Sequence, residues 1–164
     1  IPGGDWHFNG GCLCGLLRHA AAQGAVLLEN RVLPFAPGTK VAAFGIEPDV
    51  GIALDVTANG DTPETKLPAV KLGAGAAVKI MDRGSISNPD LVNELLDAGK
   101  RAGVPTQREV LPFGGTDASA IQLSRSGVKA GTVSIPCRYV HSACEVIDLR
   151  DVEACKGLLL EYLK

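Results

Sequence analysis

The run Asp49-Val50-Gly51-Ile52-Ala53-Leu54-Asp55-Val56-Thr57 decides the fold class. It is short, apolar and rich in β-branched residues, which fits a strand buried in a sheet. Downstream of it the same signal recurs at Ala76–Met81, at Arg108–Leu111 and at Val128–Ile135. Helical patterns separate these strands. Ser87-Asn88-Pro89-Asp90 supplies a helix cap, a proline for the first helical position and an acid for the first turn. Leu91, Val92, Leu95 and Leu96 then fall on one helical stripe, which Gly103-Val104-Pro105 ends. A short helix is predicted around Asp117–Ser124. A closing one is predicted over Asp148–Leu163, with Val152, Cys155, Leu158, Leu159 and Tyr162 on one face.

Strands alternating with helices predict an α/β domain with a largely parallel sheet. In such sheets sites gather at the carboxyl ends of strands. Three loops qualify: the one after Asp55, the glycine loop at Gly114-Gly115, and the one after Ile135. Upstream the pattern changes. Residues 1–47 are dense in glycine, proline and cysteine, and Leu13–Leu28 is apolar on nearly all sides, as in a buried helix broken near Gly24.

Composition removes several functions. The chain has 164 residues, with 46% hydrophobic and 21% charged side chains, which suits one folded domain rather than a disordered segment. A net charge of -2 and 4% aromatics argue against nucleic acid as a partner, whether held by charge or by stacking. No apolar run approaches the roughly 20 residues that span a bilayer, so a membrane partner is not expected. The first residues lack the basic start and apolar stretch of a secretory signal. The odd set Cys12, Cys14, Cys137, Cys144 and Cys155 reads as reduced thiols, hence a cytoplasmic protein.

Asp55 and His141 are the residues best placed for chemistry. An acid at the end of an apolar strand is costly unless it is paired or binds a metal. A helix cap or a hydrogen-bonded loop acid is the plainer reading of Asp55, and a satisfied surface or core residue that of His141. Both fall at one edge of the predicted sheet, where carboxylate and imidazole would form part of a zinc site. Gly114-Gly115-Thr116-Asp117 joins strand to helix; it is either an anion-binding turn or a tight turn capped by Thr116 or Asp117. A thiolate zinc site from Cys12, Cys14, Cys137, His141 and Cys144 lacks any C-x-x-C pair. A Cys144 nucleophile beside His141 lacks an orienting partner.

Five segments occur in one order over residues 41–163: Ala42-Ala43-Phe44 with Pro48-Asp49, Ala53-Leu54-Asp55-Val56-Thr57 with Gly60-Asp61-Thr62-Pro63, Gly73-Ala74-Gly75-Ala76 with Lys79-Ile80-Met81-Asp82, Gly114-Gly115-Thr116-Asp117-Ala118, and Ile135-Pro136-Cys137-Arg138-Tyr139-Val140-His141-Ser142. In these the chain resembles the tetrahedral (glutamyl) aminopeptidase family of dinuclear-zinc metallopeptidases, some of whose members are described as endoglucanase-like. The resemblance covers the C-terminal half of the catalytic domain. It implies a three-layer α/β/α sandwich of the zinc-peptidase type, present in part. It also implies removal of N-terminal residues from peptide substrates by water activated on two Zn2+ or Co2+ ions, in a homo-oligomer.

By residue matching, Asp55 is implied to bind one metal and His141 the other, while Gly114, Gly115, Thr116 and Asp117 shape the substrate pocket or its surround. The family's upstream histidine and inserted β domain have no counterpart in the sequence. Its bridging aspartate belongs to an Asp-x-Arg-x-Gly-Cys run, of which Gly11-Cys12 match. His7 stands in the acid's place, which leaves Asp5 as the nearest metal-ligand candidate. The Glu-Glu pair of base and ligand is also missing, and Glu29 is the nearest acid for the base. The alternative expectation is a catalytically incomplete scaffold or oligomer subunit. The sequence thus divides into residues 1–40, a divergent segment, and 41–164, a family-like region of one domain.

Overall fold

The computed structural model describes residues 25–29, 37–63, 65–66 and 70–164. In chain order the elements are β1 (Ala25–Glu29), α1 (Pro37–Ile46), β2 (Val50–Ala58), β3 (Ala76–Met81), α2 (Pro89–Ala102), β4 (Thr106–Val110), α3 (Ala118–Ile121), β5 (Lys129–Arg138), β6 (Val146–Ile147) and α4 (Leu149–Tyr162). The strands form one sheet in the order β1-β2-β5-β3-β4, with β6 attached to β5.

The sheet is largely parallel, as expected, with one antiparallel junction that makes it mixed. β1, β2 and β5 run together, and so do β3 and β4. Where the two blocks meet, β3 and β5 are antiparallel. The carboxyl ends of β2 and β5 therefore lie at one edge, and that of β4 at the other. The glycine loop after β4 starts from the edge opposite the one expected.

Alternation along the strands sorts the sheet into two faces. Ile52 and Leu54 of β2, Val133 and Ile135 of β5, and Ala76 and Val78 of β3 face α2 and α4, which contribute Leu91, Leu95, Ala154, Leu158 and Leu159. On the other face Ala53 and Ala130 meet Ala43 of α1 and Ala118 and Ile121 of α3. Helices thus cover both faces, giving the three-layer sandwich. Gly51 permits the second contact: a Cβ there would stand 2.3 Å from Ile121 Cγ2.

Local chemistry sets the helix ends. Asn88 accepts from the Asp90 and Leu91 amides at 3.1 Å, and Gly103 closes α2 in the left-handed region at φ 67°. Asp151 in the first turn of α4 is fully buried and accepts from the amides of Gly73 and Gly75 at 2.7 Å. That ties α4 to the turn before β3. Gly75 has φ +95°, and a Cβ on it would meet the Pro105 carbonyl at 2.0 Å.

Several boundaries differ from the sequence reading. Ala25–Glu29, read as the end of a buried helix, is an edge strand parallel to β2, while Leu13–Gly24 lies outside the described residues. A five-residue apolar run carries no periodicity that separates the two structures. β5 runs past Pro136 to Arg138 because that proline falls between the β3 pairing, which ends at Ser134, and the β6 pairing, which begins at Cys137. The short helix covers only Ala118–Ile121, and α1 and β6 had no counterpart in the reading.

Candidate active site

Asp55 and Ser134 are register partners in adjacent parallel strands, so the carboxylate sits near the carboxyl edge of β2 and β5. Asp55 Oδ1 accepts from the Val56 amide at 2.8 Å. No described side chain is bonded to Oδ2. Burial pushes the carboxyl up to about 6. The Val56 amide and the Lys79 ammonium oppose that shift, the Asp117 carboxylate adds to it, and the His141 imidazole opposes it. The charges of Lys79, Asp117 and His141 are thus all felt at this acid.

His141 lies three residues beyond β5, in the loop that returns through β6. It is exposed and left-handed, φ 64°, and Tyr139 shares that conformation at φ 60°. The loop bonds to itself: the His141 amide donates to Glu145 Oε1 at 2.5 Å, and the Ser142 amide to the Tyr139 carbonyl at 3.0 Å. No described side chain engages the imidazole ring, which leaves its nitrogens free for a ligand.

Gly114, exposed at φ +68°, and Gly115 begin at the far edge, with a Cβ on Gly115 standing 3.9 Å from Gly84 Cα. The chain then crosses back over the sheet. Thr116 and Thr132 share a hydrogen bond of 2.9 Å, and Thr116 donates to Asp82 Oδ2 at 3.5 Å. Asp117 is buried and accepts from Thr39 at 2.7 Å through Oδ2; its Oδ1 has no partner among the described residues, and burial raises its pKa. The cap expected of Asp117 is absent, since its side chain makes no capping hydrogen bond to α3. A four-residue helix also offers too little dipole for the anion-binding reading.

Glu29 ends β1 in register with Leu54, one position before Asp55 on the next strand. Asp5 lies outside the described residues. The thiolate alternatives do not assemble from the described cysteines. Cys137 is buried with its thiol 3.4 Å from the Arg138 carbonyl, Cys144 is exposed beside Ser142, and both are free thiols, as is Cys155. Among the described residues no group of three or more His, Cys, Asp or Glu could hold a metal ion.

Sequence reading missed a second polar group on the Asp55 face. Glu109 Oε1 accepts both the Lys79 ammonium and the Thr57 hydroxyl at 2.5 Å, with all three residues buried. Lysine inside the strand Ala-Ala-Val-Lys-Ile-Met was the signal available: an ammonium at a sheet-core position requires a buried acid. Also missed was Arg138, which grips Asp61 through Nε at 3.2 Å and Nη2 at 3.1 Å.

The M42 glutamyl aminopeptidase family model matches residues 36–158. The lysyl aminopeptidase of Pyrococcus furiosus is 40% identical over 131 residues, covering 77% of this chain and 37% of that protein. The solved aminopeptidase APDkam598 of the archaeon Desulfurococcus kamchatkensis superposes with a TM-score of 0.72 at 41% identity, over 78% of this chain and 37% of its own. The Pyrococcus horikoshii TET1 peptidase, which can assemble into a tetrahedron or a large octahedral shell, gives 0.67 at 32% identity, over 79% and 37%. The chain thus spans little more than a third of these relatives. No helix among the described residues is long and apolar enough to cross a membrane.

Proposed function

Since this chain belongs to the M42 glutamyl aminopeptidase family, we propose that it forms part of a metal-dependent aminopeptidase acting on peptide N-termini. The observation that carries this reading is that Asp55 stands near the carboxyl end of β2 and His141 follows the carboxyl end of its parallel neighbour β5 by three residues. Oδ2 of Asp55 is unbonded, the ring of His141 is unengaged, and a nearby cation would offset the cost of burying the carboxylate. These two donors fit one side of a divalent-cation site. They would hold Zn2+ or Co2+, two per subunit when the ligand set is complete, with Asp5 a further candidate ligand. What such ions supply when bound is a more acidic water and a polarised scissile carbonyl.

The chain's own residues do the rest. Asp55 brings negative charge from a strand, and His141 brings an imidazole nitrogen from a braced loop. Thr116 and Asp117 line the approach across the sheet, with Gly114 and Gly115 at its far end. Glu29 is the candidate base for proton transfer from water to the leaving amine. A homo-oligomer, as TET1 of P. horikoshii forms, and a cytoplasmic location belong to the same proposal.

A catalytically incomplete unit is the second reading, favoured by the two-donor site. Catalytic zinc generally uses three protein ligands. Slow turnover at most is therefore expected from this chain on aminoacyl p-nitroanilides in excess Co2+. A Co2+ titration followed by visible absorption tests the assignment. Binding should be weak in the wild type and lost in both Asp55→Ala and His141→Ala. Binding indifferent to both substitutions refutes the ligand reading, and robust turnover abolished by Glu29→Gln would replace the incomplete unit with an active enzyme.

A further inference from the structure

The loop carrying His141 has a problem of its own. Tyr139 and His141 both take left-handed backbone angles that a side chain disfavours, at φ 60° and φ 64°. Such a conformation persists only where the surroundings over-determine it. The two-residue ladder of β5 with β6 closes the base of the loop, pairing Cys137 with Ile147 and Arg138 with Val146. Internal hydrogen bonds then shape the loop.

A second contact at the base of the loop joins Arg138 to Asp61. Arg138 is the last residue of β5, and Asp61 lies in the segment just beyond β2. The guanidinium is forked over both carboxylate oxygens, at 3.2 Å from Nε to Oδ1 and 3.1 Å from Nη2 to Oδ2. Asp61 is fixed in turn by the Leu72 amide at 3.0 Å and by the Asn59 side-chain amide. Gly60 donates to the Val70 carbonyl at 2.8 Å, so the segment is tied to the turn before β3 as well. Hydrogen bonding to Arg138 holds the Asp61 carboxyl below its ordinary pKa, as expected of an acid held charged by its partner. Asp55, on β2, precedes Asp61 by six residues, and His141, in the loop after β5, follows Arg138 by three.

We propose that Asp61 and Arg138 are a positioning pair that sets the His141 imidazole relative to the Asp55 carboxylate. This rests on reading those two residues as metal ligands, and it goes further by naming what orients them. The fork matters as much as the charge, because two parallel hydrogen bonds fix the direction in which the chain leaves β5.

The test compares Asp61→Asn and Arg138→Lys with the wild-type chain in two measurements. In metal-free protein, 15N order parameters for residues 139–145 should fall from about 0.85 to below about 0.6 in both variants, while those of residues 130–135 stay put. On titration with Co2+, affinity should fall about tenfold or more, with a changed visible spectrum. Arg138→Lys keeps the charge and loses the fork, so recovery of both signals in that variant overturns the positioning role. Unchanged order in residues 139–145 overturns it too, and so does equal loosening of residues 130–135, which marks a general structural effect. Should the wild type bind no Co2+, the ligand reading falls, and with it the claim that the pair serves Asp55 and His141. The order parameters then still decide whether the pair fixes the loop.

Discussion

The two faces of the central sheet have been built on opposite terms. Toward α2 and α4 the sheet shows Ile52, Leu54, Val78, Val133 and Ile135, closed by leucines that are fully buried. Toward α1 and α3 the apolar contact shrinks to Ala43, Ala53, Ala118, Ile121 and Ala130, and the rest is polar. Asp55, Thr57, Lys79, Glu109, Thr116, Asp117, Thr132 and Ser134 share that side, and all but Asp55 are buried. The first face stabilises by removing apolar surface from water. The second holds charges that cost free energy to bury, and Glu109 Oε2, Asp117 Oδ1 and Ser134 Oγ find no partner there among the described residues. One face carries the apolar core; the other carries the buried polar groups.

That contrast is most sharply tested at the Lys79–Glu109 pair, where the largest effect is expected. Removing one partner strands a buried charge, so Lys79→Met alone should cost about 3–5 kcal/mol in urea unfolding. The combination of Lys79→Met with Glu109→Leu should recover most of the loss, because a buried ion pair is often no more stable than apolar residues of similar volume. A double variant as unstable as the single one would show that the pair contributes more than its own desolvation, through Thr57 and the strand ends it joins.

A matched pair of truncations probes the faces directly. Leu158, fully buried between α4 and the sheet, should cost about 2–5 kcal/mol when cut to alanine. Ser134 sits on the polar side with its hydroxyl unpartnered. Ser134→Ala should be neutral or should stabilise by up to about 1 kcal/mol, since it removes a desolvated group that bonds to nothing. Equal losses at the two positions, measured by the same unfolding curves, would abolish the distinction between the faces.

How much of this was legible in the sequence follows the same division. The apolar side was readable because its signals are periodic and local: the Leu91–Leu96 stripe, the Asn88-Pro89 helix start and the apolar run of β2 all stand in the structure. Asp55 and His141 were legible as positions, at the ends of strands that do run parallel. The reversed direction of β3 and β4 was not, because strand polarity in a sheet depends on long-range pairing that no local pattern encodes. That reversal is why Gly115 starts from the far edge. Lys79, Glu109, Asp61 and Arg138 escaped for a related reason. Each is ordinary alone, and its meaning lies in a partner 30 residues away for one pair and 77 for the other.

The smallest effect expected concerns an acid that belongs to neither face's interior but holds the apolar side in place. Asp148 is the cap of α4; it accepts from the Arg150 amide at 2.8 Å and pairs with the Arg150 guanidinium at 2.6 Å. That guanidinium, aided by the capping amide, lowers its pKa from the ordinary 3.8 to about 2. A carboxyl depressed on folding stabilises the fold above its unfolded pKa and loses that contribution as pH falls through the folded one. The wild-type melting temperature should therefore drop between about pH 4 and pH 2 relative to Asp148→Asn, which keeps a capping oxygen and gives up the charge. Near neutral pH the wild type should be the more stable of the two, by a margin that shrinks as salt is added, because Arg150 is exposed and its charge is screened. Parallel melting profiles across that acid range would show that Asp148 acts through its hydrogen bond alone.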